Sequence, residues 1–159
     1  MSKKKKILVI QNIHQKGIDL LKENPNYEFE IFDEINEDLK KKIVDCDAVS
    51  IRTVKLPDEI IRTAKNLQVI SRHGVGYDNV DIKFLKENNI SLLVTHNSTS
   101  TSPAEHIMFM ILNIYKGREM FDSMVRKGNF HKAIHLKIND NFELYNKIIL
   151  IIGCGRIGK

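Results

Sequence analysis

The 159-residue chain has no tryptophan, two cysteines, three prolines and eight glycines. Cys46 and Cys154 lie far apart in the sequence, outside any Cys-x-x-Cys or Cys/His cluster. They exclude a disulfide scaffold and a zinc centre, and both are expected as reduced thiols. So few prolines and glycines in a chain 42% hydrophobic exclude collagen-like, low-complexity and disordered readings. Apolar runs such as Ile148–Ile152 fall far short of the ~20 residues a membrane-spanning helix needs. Met1–Lys6 is basic but leads straight into a strand-like run from Ile7, without a signal-peptide apolar stretch or a small-residue cleavage site. These absences point to a soluble, cytoplasmic protein with no membrane partner, and the length allows one domain, two at most.

What charge there is leans positive, 25 Lys+Arg against 20 Asp+Glu, a net +5. Lys3–Lys6 supply four of those charges, leaving +1 over the rest (5 − 4). The remaining lysines are interspersed with acids, as at Glu37, Asp38 and Lys40–Lys42, which reads as a solvated helix face. With no helix-turn-helix, finger or aromatic platform, no nucleic-acid partner is expected.

Short apolar runs alternate with helical periods through the first hundred residues. Strands are expected at Ile7–Ile10, Tyr27–Phe32, Ala48–Thr53, Val69–Ser71 and Ile90–Thr95. Tyr27–Phe32 alternates apolar and acidic residues and belongs nearer the sheet edge. Helices are expected at Gln15–Glu23, Glu37–Asp45, after Pro57 and at Asp81–Asn88. Alternation at this spacing implies right-handed βαβ units and a parallel sheet, a doubly wound, flavodoxin-like α/β domain. From Ser102 the style changes. Ser102-Pro103-Ala104-Glu105 has the form of a capping box, and one long helix is expected from there to about Lys127, buried on more than one face. Gly117 falls inside it, where it allows close packing or a bend. Residues 128–146 are polar and irregular, and Lys147–Ile152 is expected as a strand buried on both faces.

That strand runs into Gly153-Cys154-Gly155-Arg156-Ile157-Gly158-Lys159. Gly-x-Gly-x-x-Gly after a strand is a dinucleotide fingerprint: a tight turn, close approach of backbone to pyrophosphate, and close packing of helix on strand. The same letters satisfy a phosphate-binding P-loop up to its final Ser/Thr, so spacing alone leaves both open. A second glycine pair, Gly74 and Gly76, follows the expected strand Val69–Ser71. Backbone amides there would face ligand at the carboxyl edge of a parallel sheet, although an ordinary β–α turn capped by Asp78 or Asp81 explains the same residues.

Four motifs in order, Ile51-Arg52-Thr53, His73 through Asp81, Ser102-Pro103-Ala104-Glu105-His106 and Gly153–Gly158, resemble NAD-dependent D-2-hydroxyacid dehydrogenases. They resemble most the amino-terminal half of the phosphoglycerate dehydrogenase-like members. The resemblance covers nearly the whole chain and favours the dinucleotide reading of the glycine turn. It implies a substrate domain over 1–99 and the start of a truncated NAD-binding Rossmann domain over 100–159. It further implies that the Val75 and Gly76 amides hold the substrate carboxylate and that Arg52 binds the anionic substrate. Gly153, Gly155, Arg156, Ile157 and Gly158 would take the cofactor pyrophosphate, and Ser100 would touch the cofactor. The implied partners are NAD, a small anionic 2-hydroxy or 2-oxo acid, and a second copy or complementing chain through the 102–127 helix.

No catalytic residue is assigned. The family's arginine, histidine and glutamate lie beyond its glycine turn, in sequence this chain does not have, and so does the acidic residue that reads the ribose. Hydride transfer needs a nicotinamide over the substrate carbon and a proton donor at the oxygen. Glu105 and His106 adjoin on a helix and point to different faces, and His131 and His135 lack a third ligand, so no metal is expected. Two functions follow: a truncated dehydrogenase inactive alone, or a non-catalytic remnant that binds an anion or a partner chain. Residues 1–99 are expected to fold without the rest, with 100–159 poorly packed in the monomer. Weak hydrogen-exchange protection across 128–159 is the expected outcome, and strong, uniform protection there contradicts it.

Overall fold

The computed structural model describes residues 3–135 and 143–159. It divides into two compact units, Met1–Ser98 and Thr99–Lys159.

The first unit is a parallel sheet of order β2-β1-β3-β4-β5. Its strands are β1 (Lys5–Ile10), β2 (Tyr27–Phe32), β3 (Ala48–Ile51), β4 (Val69–Arg72) and β5 (Ser91–Val94). The connections carry α1 (Gln15–Glu23), α2 (Glu37–Lys42, continued by a 3-10 turn at Ile43–Asp45), α3 (Asp58–Ile61) and α4 (Ile82–Glu87). β2 lies at the edge, where alternation keeps Glu28 and Glu30 in solvent. The chain steps from β1 to β2 in one direction and through β3, β4 and β5 in the other. Right-handed crossovers therefore place α1 on one face and α2, α3 and α4 on the other. Alternate residues of the inner strands, Leu8, Ile10, Val49, Ile51 and Ile70, meet Leu39, Ile43, Leu56, Ile61 and Leu85 in the main core. Burying each such side chain contributes roughly 1.5–3 kcal/mol, before the entropy of ordering it. Val9 and Ile18 are buried outside that cluster.

Local signals set the helix starts. Asp81 caps α4 by accepting from Phe84 N at 3.0 Å, one of the two caps the sequence offered. Asn36 caps α2 at 2.9 Å from Leu39 N, and His14 Nδ1 caps α1 at 3.2 Å from Lys16 N. Pro57 precedes α3, whose Ile60 and Ile61 are buried as their spacing requires. The guanidinium of Arg62 lies 4.4 Å from the centre of the Phe84 ring. At the amino edge Asp47 joins β1 to β3: it accepts from Lys5 Nζ at 2.6 Å and from Lys6 N at 2.9 Å.

The second unit departs from expectation in five ways. The long helix is two helices, α5 (Thr101–Lys116) and α6 (Arg118–Arg126), because Gly117 adopts φ 55°, a left-handed conformation that ends one helix and opens the next. α5 begins one residue before Ser102, after Ser100, and no side chain caps it, so the capping box does not form. Pro103 is accommodated because first-turn amides have no helical acceptor in any case. No residue of α5 is buried. Lys147–Ile152 forms no strand: Ile148, Leu150 and Ile152 are 98%, 83% and 92% exposed. A strand exists only when a neighbour supplies its hydrogen bonds, which an apolar run cannot do for itself. Within the stretch read as irregular, Phe130–His135 forms α7, and residues 136–142 lie outside the described residues. Among the described residues no helix is long and apolar enough to cross a membrane.

Burial pushes the Asp47 carboxyl up, but the Lys5 ammonium and the Lys6 amide outweigh it and hold the group below the ordinary aspartate range. A carboxylate lowered in the folded state stabilises fully above its unfolded pKa of about 3.9, and that stability is lost as pH falls through the folded value. Chemical denaturation from pH 6 downward is expected to show stability falling below about pH 4, with a shallower fall in Asp47→Asn.

Candidate functional site

The carboxyl ends of β1, β3, β4 and β5 form one edge of the first unit, where open parallel sheets bind ligands. Beyond β4, His73 N donates to Ile51 O at 2.7 Å, so the pairing of β3 with β4 continues one residue past the strands. Arg52 and His73 are therefore neighbours, each one residue beyond a paired position. Arg52 is exposed, and its Nη1 makes a long 3.4 Å contact with Asn12 O.

The chain then turns through Gly74-Val75-Gly76. Gly74 is buried at φ 145° and its carbonyl accepts from Thr95 N at 2.9 Å, anchoring the turn to the end of β5. A Cβ there would lie 1.4 Å from Arg72 Nη1, which itself donates to His73 O at 3.2 Å. Gly74 is thus required twice, by conformation and by the guanidinium beneath it. The Arg72 Nε–H is buried without a partner among the described residues. Val75 is half-buried and Gly76 exposed, and neither amide donates to an acceptor among the described residues. Two adjacent unpartnered amides beside an arginine can hold one small carboxylate.

Of the residues singled out from the sequence, the fold brings Arg52, Val75 and Gly76 to this one edge. Two others that sequence reading passed over stand with them. Gln11 Oε1 accepts from Thr53 N at 2.8 Å and Val54 N at 2.9 Å. Asn79 Nδ2 donates to Val54 O at 2.8 Å. Asn79 stood in a quoted motif, and Gln11 had no signal beyond following the first strand.

Beside the edge, Ile13, His14, Ser50, Ser71, His73 and Thr95 line a shallow cleft of about 240 Å³. A larger hollow of about 550 Å³ lies along Lys6–Leu8, Glu28–Glu30 and α2, far from the glycine turns in sequence. Its charges are of both signs and Lys42 pairs with Glu30, so it presents a groove without a convergent polar centre. The Cys46 thiol is wholly buried, and burial raises it to about 12, too high for a nucleophile.

In the second unit the glycine turn is formed in part. Gly153 adopts φ 98°, and an added Cβ at Gly153 or Gly155 would meet open space. At Gly158 a Cβ would lie 2.3 Å from Gly153 O, so the third glycine is the one that permits close packing. Lys159 N donates to Gly155 O at 3.1 Å, closing one helical turn across Arg156 and Ile157. The spacing of Gly153, Gly155 and Gly158 fits the pyrophosphate end of a dinucleotide. Ser100 stands half-buried at the head of α5 with its side chain outside the cap. His106 packs on Phe109, ring centres 5.8 Å apart, one turn along the same helix.

The profile of the D-isomer specific 2-hydroxyacid dehydrogenase catalytic domain matches residues 7–144. Glyoxylate reductase of Pyrococcus furiosus is 30% identical over 164 residues, covering 98% of this chain and 48% of that protein. D-3-phosphoglycerate dehydrogenase of Methanocaldococcus jannaschii is 32% identical over 156 residues, covering 97% and 29%. Among solved structures, NAD-dependent formate dehydrogenase of Staphylococcus aureus in complex with NAD superposes with a TM-score of 0.77 at 27% identity, over 96% of this chain and 50% of that one. The chain spans about half the length, or less, of the curated relatives it matches.

Substituting Gly74→Ala forces a left-handed residue and displaces Arg72, and is expected to lower unfolding free energy by about 2 kcal/mol in a denaturant titration.

Proposed function

The chain belongs to the D-isomer specific 2-hydroxyacid dehydrogenase family, and on that footing we propose that its first unit holds the carboxylate of a 2-hydroxy or 2-oxo acid. The observation that carries this reading is the pair of unpartnered Val75 and Gly76 amides at the same sheet edge as the exposed Arg52, whose backbone neighbours His73 past the ends of β3 and β4. The amides orient the carboxylate in the plane of the turn, and Arg52 adds the charge that favours an anionic acid of the 3-phosphoglycerate kind.

In this reading Gly153 and Gly155 leave space for the pyrophosphate of NAD, Gly158 lets the turn close on Gly153, and the Arg156 and Ile157 amides face the pyrophosphate, with Ser100 as a further contact. NAD, when bound, supplies the hydride acceptor for oxidation of the CH–OH group. What these residues do is bind and orient. No proton-moving role is assigned to any of them, so this reading gives these residues binding alone. The apolar run Ile148–Ile152 supports a further element of the reading. Its exposure suits pairing with a complementing chain or a second copy, which would also cover α5 and α6. The free thiols of Cys46 and Cys154 suit a reducing, cytoplasmic setting.

Calorimetric titration of the purified chain with glyoxylate, hydroxypyruvate and 3-phosphoglycerate tests the site. Binding is expected for at least one acid, weakened about tenfold or more in Arg52→Ala. Equal affinity in that variant contradicts the role of Arg52. No NAD-dependent turnover of 3-phosphoglycerate, glycerate or lactate is expected from the isolated chain, and measurable turnover contradicts the assignment of these residues to binding alone.

A further inference from the structure

We propose that Gln11 and Asn79 are positioning residues that set Arg52 against the Val75–Gly76 amides. The inference rests on the reading of those three residues as a carboxylate site and concerns how their geometry is fixed.

Arg52 lies one residue past the end of β3 and its side chain is exposed. Sheet pairing there ends on the β3 side at Ile51 O, which receives His73 N at 2.7 Å. The backbone beyond is held from two sides by side chains that belong to other strand ends. From the β1 side comes Gln11, whose Oε1 accepts from Thr53 N at 2.8 Å, Thr53 Oγ1 at 3.2 Å and Val54 N at 2.9 Å. Gln11 is itself in the left-handed region at φ 66°, a conformation uncommon for a residue with a side chain. That conformation persists because its own amide donates to Phe32 O at 2.7 Å and its side-chain oxygen is fully engaged.

From the β4 side comes Asn79, half-buried in the connection that also carries Val75 and Gly76. Its Nδ2 donates to Val54 O at 2.8 Å and, at the long limit of 3.4 Å, to Arg52 O. Its Oδ1 is buried without a partner among the described residues, so the amide is oriented by its nitrogen end. A flipped amide would set oxygen against two carbonyls. One side chain thus ties the segment bearing Arg52 to the segment bearing the anion-binding amides. The other ties that same segment to the end of β1. The neighbouring order β1-β3-β4 is what brings these ends within reach.

A cross-link that merely stabilises the fold and one that positions Arg52 differ in one measurable respect. If Gln11 and Asn79 act through Arg52, their loss matters to the ligand only while Arg52 is present. The test is amide-resolved NMR titration of the full chain with glyoxylate, in wild type, Gln11→Met, Asn79→Ala and Arg52→Ala and in each pairing with Arg52→Ala. Each single loss is expected to weaken binding about tenfold, and less than about twofold when Arg52 is already alanine. The same factor in both backgrounds, or single variants within about twofold of wild type, overturns the proposal. Gln11→Gly relieves the left-handed strain while removing the acceptor, so it keeps the fold and is expected to bind as weakly as Gln11→Met. Wild-type binding there overturns the role of Gln11.

Failure of the site reading itself has a different signature: glyoxylate then moves neither the Val75 nor the Gly76 amide in wild type. In that event the bracing is still decided in the free chain. Exchange at the Thr53 and Val54 amides is expected to rise about tenfold in Gln11→Met and in Asn79→Ala, with Ile51 and Ile70 unchanged. Unchanged exchange at Thr53 and Val54 overturns it.

Discussion

The burial of β1 between β2 and β3 is the constraint from which the rest of the first unit follows. Val9 and Ile10 are wholly excluded from solvent, and β1 pairs over its full length with β2 and over four residues with β3. A slip of one residue would turn Leu8 and Ile10 out of the core and Ile7 and Val9 into it. Both ends of the strand are used. At its start Asp47 takes the Lys5 ammonium and the Lys6 amide, fixing the register against β3. At its end Gln11 reaches over the same neighbour to fix the segment that carries Arg52. The candidate site therefore inherits its geometry from the register of one buried strand.

Much of this unit was legible in the sequence because each strand is a short apolar run bounded by polar or turn residues, a pattern local in the chain. The edge position of β2 followed from Glu28 and Glu30 alternating with apolar residues. Boundaries were less legible: β1 reaches back to Lys5, where the side chains are polar but the backbone still pairs. The roles of Gln11 and Asn79 were not legible at all. Their partners lie 42 and 25 residues away, and nothing in the local pattern of either residue announces them. The glycine at 74 could be read as a turn, whereas its need to clear the Arg72 guanidinium is a tertiary fact.

The second unit shows the converse. Lys147–Ile152 has the composition of a buried strand and α5 the apolar content of a buried helix, yet both are exposed. Composition records the environment a segment was selected for, and pairing or packing partners decide whether it is realised. Gly117 is intermediate between these cases: its place inside an apolar helical period hid a left-handed residue that ends α5 and starts α6. The glycine turn, by contrast, depends on neighbours within six residues, and its close contact at Gly158 and the Lys159 to Gly155 hydrogen bond are in place.

The central claim is that the edge formed by Arg52, Val75 and Gly76 receives a carboxylate. A crystal structure of the chain grown with glyoxylate tests it most directly. The account predicts the carboxylate within hydrogen-bonding distance of the Val75 and Gly76 amides and the Arg52 guanidinium, with Thr53 and Val54 still held by Gln11. An acid seated elsewhere, such as the cleft lined by His14 and His73, with those amides left free, would contradict it.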